Sequence, residues 1–450
     1  MDRTHIPYAT HRWNPTSGCT EISEGCRECW ARRMAARLAG RCGYPPGDGF
    51  AVTCHPDRLG EPLRARGDAV VATSFMGDLF HDKVPDEFIV RVIDTIRADM
   101  FERGLRSDLP RTKEGTQRHF LLATKRYARA ADLLARLRFE PLGAGRMYLA
   151  AEAGDFAEFS SPITPGRDRL WVGFSVCTCK DLETALPHVR VLLRMGLRVY
   201  LSAEPLLEAL DLAELLPCRS PFHGRISVNS WAGFPWPTWV PAEVRHEVQE
   251  FWAEKDGRGP WAWLANTDHE YNHAPAFGET VTLPRLTERE EGVTGRYVHA
   301  WNNIGRLVLE DGSVVCVSTG GYVPKRGLAW VVAGGESGPR ARPCHPEWAR
   351  LLRDRCAAAA VPFWWKQWGE WLPLSEFAPQ VHGDPDQVEH GWVWPGVGGD
   401  PDSLPLSCFR IGKAKAGCGL DGRVHMNAPH ALRVVLANKP LRRDAGKGEA

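Results

Sequence analysis

Three thiols, Cys19, Cys26 and Cys29, fall within eleven residues of the stretch WNPTSGCTEISEGCRECWARRMAARLAG, residues 13–40. The spacing C-x6-C-x2-C suits a soft metal or an iron–sulfur cluster: the close pair lets two sulfurs converge, and the Ser and Gly residues let the backbone wrap. Three ligands differ from four, because a cubane held by three thiolates keeps one iron open to a reactant. The same donors fit a structural zinc site completed by Cys42, Cys54 or His55. A third reading is buried cysteines with no metal. Spacing alone leaves all three open.

Other chemistry-bearing residues close short apolar segments: Asp78 in MGDLF, Lys125 in LLATK, Ser175 in GFSV, Glu204 in LSAEP, Glu336 in AGGES and Lys366 in WWKQW. One such residue is ordinarily a solvated edge or a salt bridge. Five titratable groups at corresponding strand ends point instead to proton transfer and ligand binding. The catalytic candidates are Glu204, Lys125, Lys366 and Asp78. GGESGPRARP adds Gly334 and Gly335, whose freedom admits close backbone approach, and then Arg340 and Arg342, a pattern suited to an anion or to a tight turn. Cys177-Thr178-Cys179 reads as two small semi-buried residues more readily than as a redox pair. His269 and His273 stand four apart, but in a turn-like, polar context.

These residues need a scaffold that gathers strand ends. Apolar segments at 50–56, 69–80, 119–125, 170–178, 198–206, 328–338 and 362–369 alternate with helical patterns such as PDEFIVRVIDTIRADMFERG and HPEWARLLRDRCAAAA. Near-continuous apolar strands between helices predict an α/β fold with a parallel sheet covered on both faces. Seven strands, with one more near the N-terminus, predict a TIM-barrel-like (β/α) barrel, closed or nearly closed, with an open doubly wound sheet as the alternative. Chemistry in such a barrel sits at the C-terminal strand ends.

The βα rhythm fails between 219 and 327, where seven of the 18 tryptophans fall. This predicts a Trp-rich inserted subdomain, with a hairpin turning at Asp311-Gly312. The division is then 1–218 and 328–440 for the two barrel parts, 219–327 for the insertion, and 441–450 for a disordered tail. The insertion's tryptophans beside Arg225, Arg245 and Arg258 offer base-stacking faces, although a small core needs the same residues.

Composition bounds the function. Hydrophobic residues make up 43% and charged residues 25%, the profile of a globular chain, and a net charge of +1 excludes a strong overall pull toward nucleic acid. No apolar run approaches the roughly 20 residues of a membrane span, and the N-terminal stretch lacks a signal peptide's apolar core. A cytoplasmic location is expected, in which 13 cysteines read as free thiols or metal ligands.

The ordered set WNPTSGCTEISEGCRECWA, SFMGDLFHDKVPDEFI, LLATKR, WVGFSV, LSAEPLL, VVAGGESGPRARPCHPEW, VPFWWKQWGEW and GKAKAGCGLDGR resembles a phage-associated three-Cys-motif family of unknown function, whose members are similar to divergent radical SAM enzymes. The resemblance implies a TIM-barrel-like fold and a 4Fe-4S cluster on Cys19, Cys26 and Cys29. By the same analogy S-adenosylmethionine (SAM) is cleaved after one-electron reduction. Ser175, Gly334, Gly335, Glu336 and Arg340 are then the SAM-binding candidates, with an electron-donor protein as partner and a nucleotide or nucleic acid as substrate. Two departures stand: the first Cys gap is three residues longer than the commonest radical SAM spacing, and Trp30 replaces a frequent Tyr. The alternative from another class is a zinc-stabilised, non-catalytic module of phage origin that binds nucleic acid or protein.

Overall fold

The computed structural model describes residues 1–105, 118–139, 147–149, 169–217, 236–256, 277–278, 280–283, 293–301, 304–318, 327–378, 390–394 and 406–437. His269, His273, Arg225, Arg258 and the 441–450 tail lie outside them.

The chain divides into two compact units, Met1–Leu216 with Leu328–Ala450, and Pro217–Gly327. The first is built on one eight-stranded sheet: β1 (Asp2–Arg3), β2 (His11–Trp13), β3 (Ala69–Thr73), β4 (Arg118–Thr124), β5 (Leu170–Ser175), β6 (Arg198–Ala203), β7 (Trp330–Ala333) and β8 (Phe363–Trp365). Spatial order follows chain order from β1 to β8. β1 is antiparallel to β2. The six remaining neighbour pairings are parallel.

The fold is therefore mixed α/β with a large, mostly parallel sheet. Among the described residues no ladder joins β2 to β8, so the closed barrel expected from the sequence is not seen. The segment 50–56 also departs from expectation. Its only ladder is Thr53–Cys54, antiparallel to Thr16–Ser17, a pairing outside the large sheet.

Strand alternation sorts the side chains onto two faces. Val71, Phe120, Val172, Leu201, Val331 and Trp365 face one cluster, shared with α2 (Asp86–Leu105), α3 (Tyr127–Arg136), α4 (Cys179–Arg194) and α5 (Pro346–Ala358). Val70, Leu121, Trp171, Tyr200, Trp330 and Trp364 face the other, with Tyr8 and α6 (His430–Leu436). All the crossover helices thus pack on one side, as same-handed connections between sequentially ordered strands require. Tyr8, two residues ahead of Thr10, packs edge-on to Trp330 of β7 at 5.7 Å and Trp364 of β8 at 6.2 Å, so the chain entering β2 meets the far strands. Gly173 makes this inner face fit, because a Cβ there would lie 2.2 Å from the Tyr200 ring.

Arg118 opens β4 wholly buried, pairs with Asp99 of α2 at 2.8 Å and donates to Gly67 O at 3.1 Å. The chain leaves this unit after Leu216 and returns at Leu328, whose N–H donates to Leu215 O at 2.7 Å. The second unit contains a four-stranded antiparallel sheet over Thr280–Leu283, Val293–Trp301, Ile304–Val308 and Val314–Ser318, including the expected hairpin around Asp311-Gly312. Arg245 donates to Val240 O at 2.7 Å there. No described helix is long and apolar enough to cross a membrane.

His55 anchors the small ladder behind the cysteine loop: its Nε2 sits 2.8 Å from Ser17 Oγ and its N–H donates to Pro15 O. Burial, then the Arg58 charge, pushes its pKa down to about 4. The unfolded chain takes up a proton near pH 6.5, so between those values it binds more protons than the fold does. Stability is complete above about pH 6.5 and falls as pH drops toward 4, by on the order of 2 kcal/mol. Urea titrations at pH 7 and pH 4.5 check this: His55→Gln should flatten the loss, and an unchanged slope would refute it.

Candidate functional site

The cysteine loop is shaped from its own sequence. Gly18, at φ +83°, fits where a Cβ would lie 2.2 Å from Ala51 O, and Cys19 N–H donates to Phe50 O. Cys26 ends a short 3-10 turn, and Cys29 is the N-cap of α1 (Trp30–Leu38). Cys19 and Cys29 pack against a small cluster with Phe50 and Met76. All three thiols are half-buried.

Burial pushes the Cys19 thiol up to about 12; Asp78 adds to this, Arg126 opposes it, and Cys26 and Cys29 add further. Among the described residues no group of three or more His, Cys, Asp or Glu side chains that could hold a metal ion is drawn together. Donor chemistry nevertheless fits a thiophilic centre. Burial makes ionisation of the Cys19 thiol costly, and a bound thiophilic cation would offset that cost.

This loop lies on the C-terminal ends of the strands. Gly25 sits so close above β5 that a Cβ would meet Cys177 Sγ at 2.2 Å and Lys125 Nζ at 3.3 Å. Lys125 Nζ donates to Ser175 O at 3.0 Å and contacts Cys177 Sγ at 3.1 Å. Burial works to lower the Lys125 pKa, but Cys177 and Asp181 more than reverse it and hold the value raised. Asp78 is buried beneath, accepting from Thr124 Oγ1 at 2.8 Å, Phe80 N at 3.0 Å and Lys125 N at 3.1 Å. Burial raises its pKa against those bonds. Asp78 thus ties β4 to the preceding strand-end loop.

The Gly-rich segment after β7 grips the loop from another side. Arg342 forks onto Glu336 through Nε at 2.9 Å and Nη2 at 2.8 Å, and reaches Glu24 Oε2 through Nη1 at 3.1 Å. Arg340 Nε meets the buried Glu28 at 2.8 Å, and Arg33 donates to Ser337 O. Gly334 N–H donates to Ala203 O and Gly335 N–H to Gln367 O. A Cβ on Gly335 would lie 1.8 Å from Trp368 O. The glycines here allow close strand-end packing, as the tight-turn alternative for this segment expects.

A separate polar group lies at the ends of β6 and β8. Glu204 accepts from Tyr8 Oη at 2.7 Å and Ser202 Oγ at 3.1 Å, and pairs with Lys366 Nζ at 2.7 Å. Burial, then the Glu204 charge, drives the Tyr8 pKa well up. Lys413 is lowered by burial and then by Lys366, with Glu204 and Glu370 opposing. The structure so brings Glu204 to Lys366, and brings Lys125, Ser175, Glu336 and Arg340 to the cysteine loop. Sequence reasoning missed Tyr8, Lys413 and the seat of Cys177 under Gly25. Arg342 stood in the quoted motif, but nothing in its spacing announced the link to Glu24.

A family model described as a protein of unknown function (DUF5131) matches residues 3–429. No curated protein and no solved structure matches the chain.

Proposed function

The chain belongs to this family of unknown function, and from that premise we propose that it is a radical SAM-like enzyme with its centre on Cys19, Cys26 and Cys29. The observation that carries the reading is the seat of the three-Cys loop on the C-terminal ends of sequentially ordered parallel strands, with Gly25 against Cys177 and Lys125. In this reading the sheet is a partial barrel, curled so that Tyr8 meets β7 and β8, and the reaction takes place at the C-terminal strand ends under the cysteine loop. Cys19, Cys26 and Cys29 are the residues that would hold a 4Fe-4S cluster, which when bound would supply the electron for reductive cleavage of SAM.

The chain's own residues do the rest. Arg342 and Arg340 brace the loop through Glu24 and Glu28. Glu204 Oε1, beside Lys366 Nζ, is the atom placed to accept or return a proton, with Tyr8 Oη bonded to its second oxygen. Trp171, Tyr200, Trp330 and Trp364 pack with Tyr8 and α6 beneath the strand ends and keep water from them. The substrate class is a nucleotide or nucleic acid and the setting a phage-related, cytoplasmic one.

Purification of the whole chain without oxygen tests this, with a visible spectrum, iron, sulfide and zinc assays, and SAM cleavage after chemical reduction. A brown protein with acid-labile sulfide that cleaves SAM supports the proposal. A colourless protein with stoichiometric zinc replaces it with a zinc-stabilised binding module.

A further inference from the structure

Where the end of β4 meets the loop after Cys19, several hydrogen-bond donors stand without acceptors. Arg126 is the N-cap of α3, and its side chain is only 9% exposed. Among the described residues its guanidinium bonds through Nη2 alone, to Thr20 Oγ1 at 2.7 Å and Thr20 O at 3.5 Å. Nε is buried with no hydrogen-bond partner. A buried guanidinium N–H left unpaired is costly, and an oxyanion is the ligand that relieves it.

Thr20 supplies a further donor. Lys83 N–H donates to His81 Nδ1 at 3.1 Å, so the hydrogen of the neutral ring sits on Nε2. Nε2 lies 2.9 Å from Thr20 Oγ1 and donates to it. The hydroxyl oxygen thus accepts from both His81 and Arg126, which uses its two lone pairs. Its own hydrogen has no acceptor among the described residues, and Thr20 is exposed.

The local field also favours an anion. α3 has ten residues, no side-chain cap and no acidic residue in its first turn, so the positive end of its dipole is unanswered at Arg126. Two carboxylates stand near. Asp78 is occupied by Thr124 Oγ1, Phe80 N and Lys125 N. Asp82 Oδ2 is 4.0 Å from Arg126 Nε on a side chain 75% exposed, an ion pair at the limit of reach and weakly held.

We propose that Arg126 and Thr20 seat a phosphate group, either the free ion or one carried by a nucleotide. The seat needs nothing from the three thiols; for a nucleotide as the source it rests on the substrate class proposed above. Phosphate has oxygens enough to take the guanidinium and the hydroxyl together, whereas the fork of one arginine already uses both oxygens of a carboxylate. Thr20 follows Cys19 directly, which brings a phosphate-bearing ligand to the cysteine loop.

The test titrates the full chain by calorimetry with inorganic phosphate, adenosine 5′-monophosphate, adenosine and acetate. Phosphate or the monophosphate should bind, more weakly as salt rises. Arg126→Gln should weaken that binding about tenfold or more and Thr20→Val about threefold or more, with circular dichroism melting unchanged. Asp82→Asn should tighten it about twofold or more, because the competing carboxylate is gone. Inorganic phosphate bound without any gain from the nucleoside supports the free ion as occupant. The monophosphate bound far more tightly than adenosine, and weakened by the same two variants, supports a nucleotide. Wild-type affinity in both variants, no binding of either phosphate probe at low ionic strength, or acetate bound as tightly as phosphate would overturn the seat. No readout uses iron or SAM, so a colourless chain that binds phosphate through Arg126 refutes the metal centre and leaves the seat standing.

Discussion

If the proposed centre is right, Cys26→Ala should strip the anaerobically purified chain of most of its iron and acid-labile sulfide and abolish SAM cleavage. Cys42→Ala, which removes an exposed thiol on the neighbouring loop, should leave all three at the wild-type level. The contrast follows from the number of ligands. Three thiolates hold the centre in the proposed site, so losing one leaves two ligands and an additional iron open to water and oxygen. Cys26 follows Gly25, which lies directly against Cys177 and Lys125. Burial of Cys19 makes its ionisation costly without a cation beside it, so metal uptake releases protons and weakens as pH falls. Iron and sulfide assays on both variants decide the matter. Full iron content in Cys26→Ala removes this residue from the ligand set, and equal losses in both variants reduce the effect to general thiol damage.

The second large effect is structural. Arg118→Met should cost about 3–5 kcal/mol, because it removes the cation paired at 2.8 Å with an Asp99 that is itself buried. The same change abandons Gly67 O, an acceptor of the Arg118 fork in the segment leading into β3. Changing both partners, Arg118→Met with Asp99→Leu, should recover much of the loss, since no uncompensated charge then remains inside. Urea denaturation of the wild type, both single variants and the double variant closes the cycle. A single Arg118→Met cost below about 1 kcal/mol would show that water reaches Asp99 and that the pair does not brace the sheet.

Much of the framework was legible because burial on both faces writes itself into a strand as an unbroken apolar run. AVVAT, HFLLAT, LWVGFS, RVYLSA, WVVA and FWW all became strands of the parallel sheet. The long helices after β3, β5 and β7 follow from 3.6-residue periodicity in the same way. FAVTCHP misled because an apolar run does not say which ladder it joins. His55 and its neighbours were recruited by Ser17 and Pro15 to support the cysteine loop. Closure was not legible either, since strand count and helical alternation are common to barrels and open sheets. The strand-end positions of Lys125, Glu204, Glu336 and Lys366 could be read from topology. Their partners could not: Tyr8 reaches Glu204 across 196 residues and Arg342 reaches Glu24 across 318. No local pattern encodes contacts of that span.

The hydrogen bond from Leu328 to Leu215 carries an architectural consequence. The polypeptide departs and re-enters through a single doorway, so the 217–327 segment hangs on two adjacent threads. Shortening, exchanging or deleting that module asks little of the host scaffold, because a bridge of a few residues spans the gap at small entropic cost. Chains that share the thiol loop can therefore wear quite different appendages at this point while keeping the host's strand ends in register.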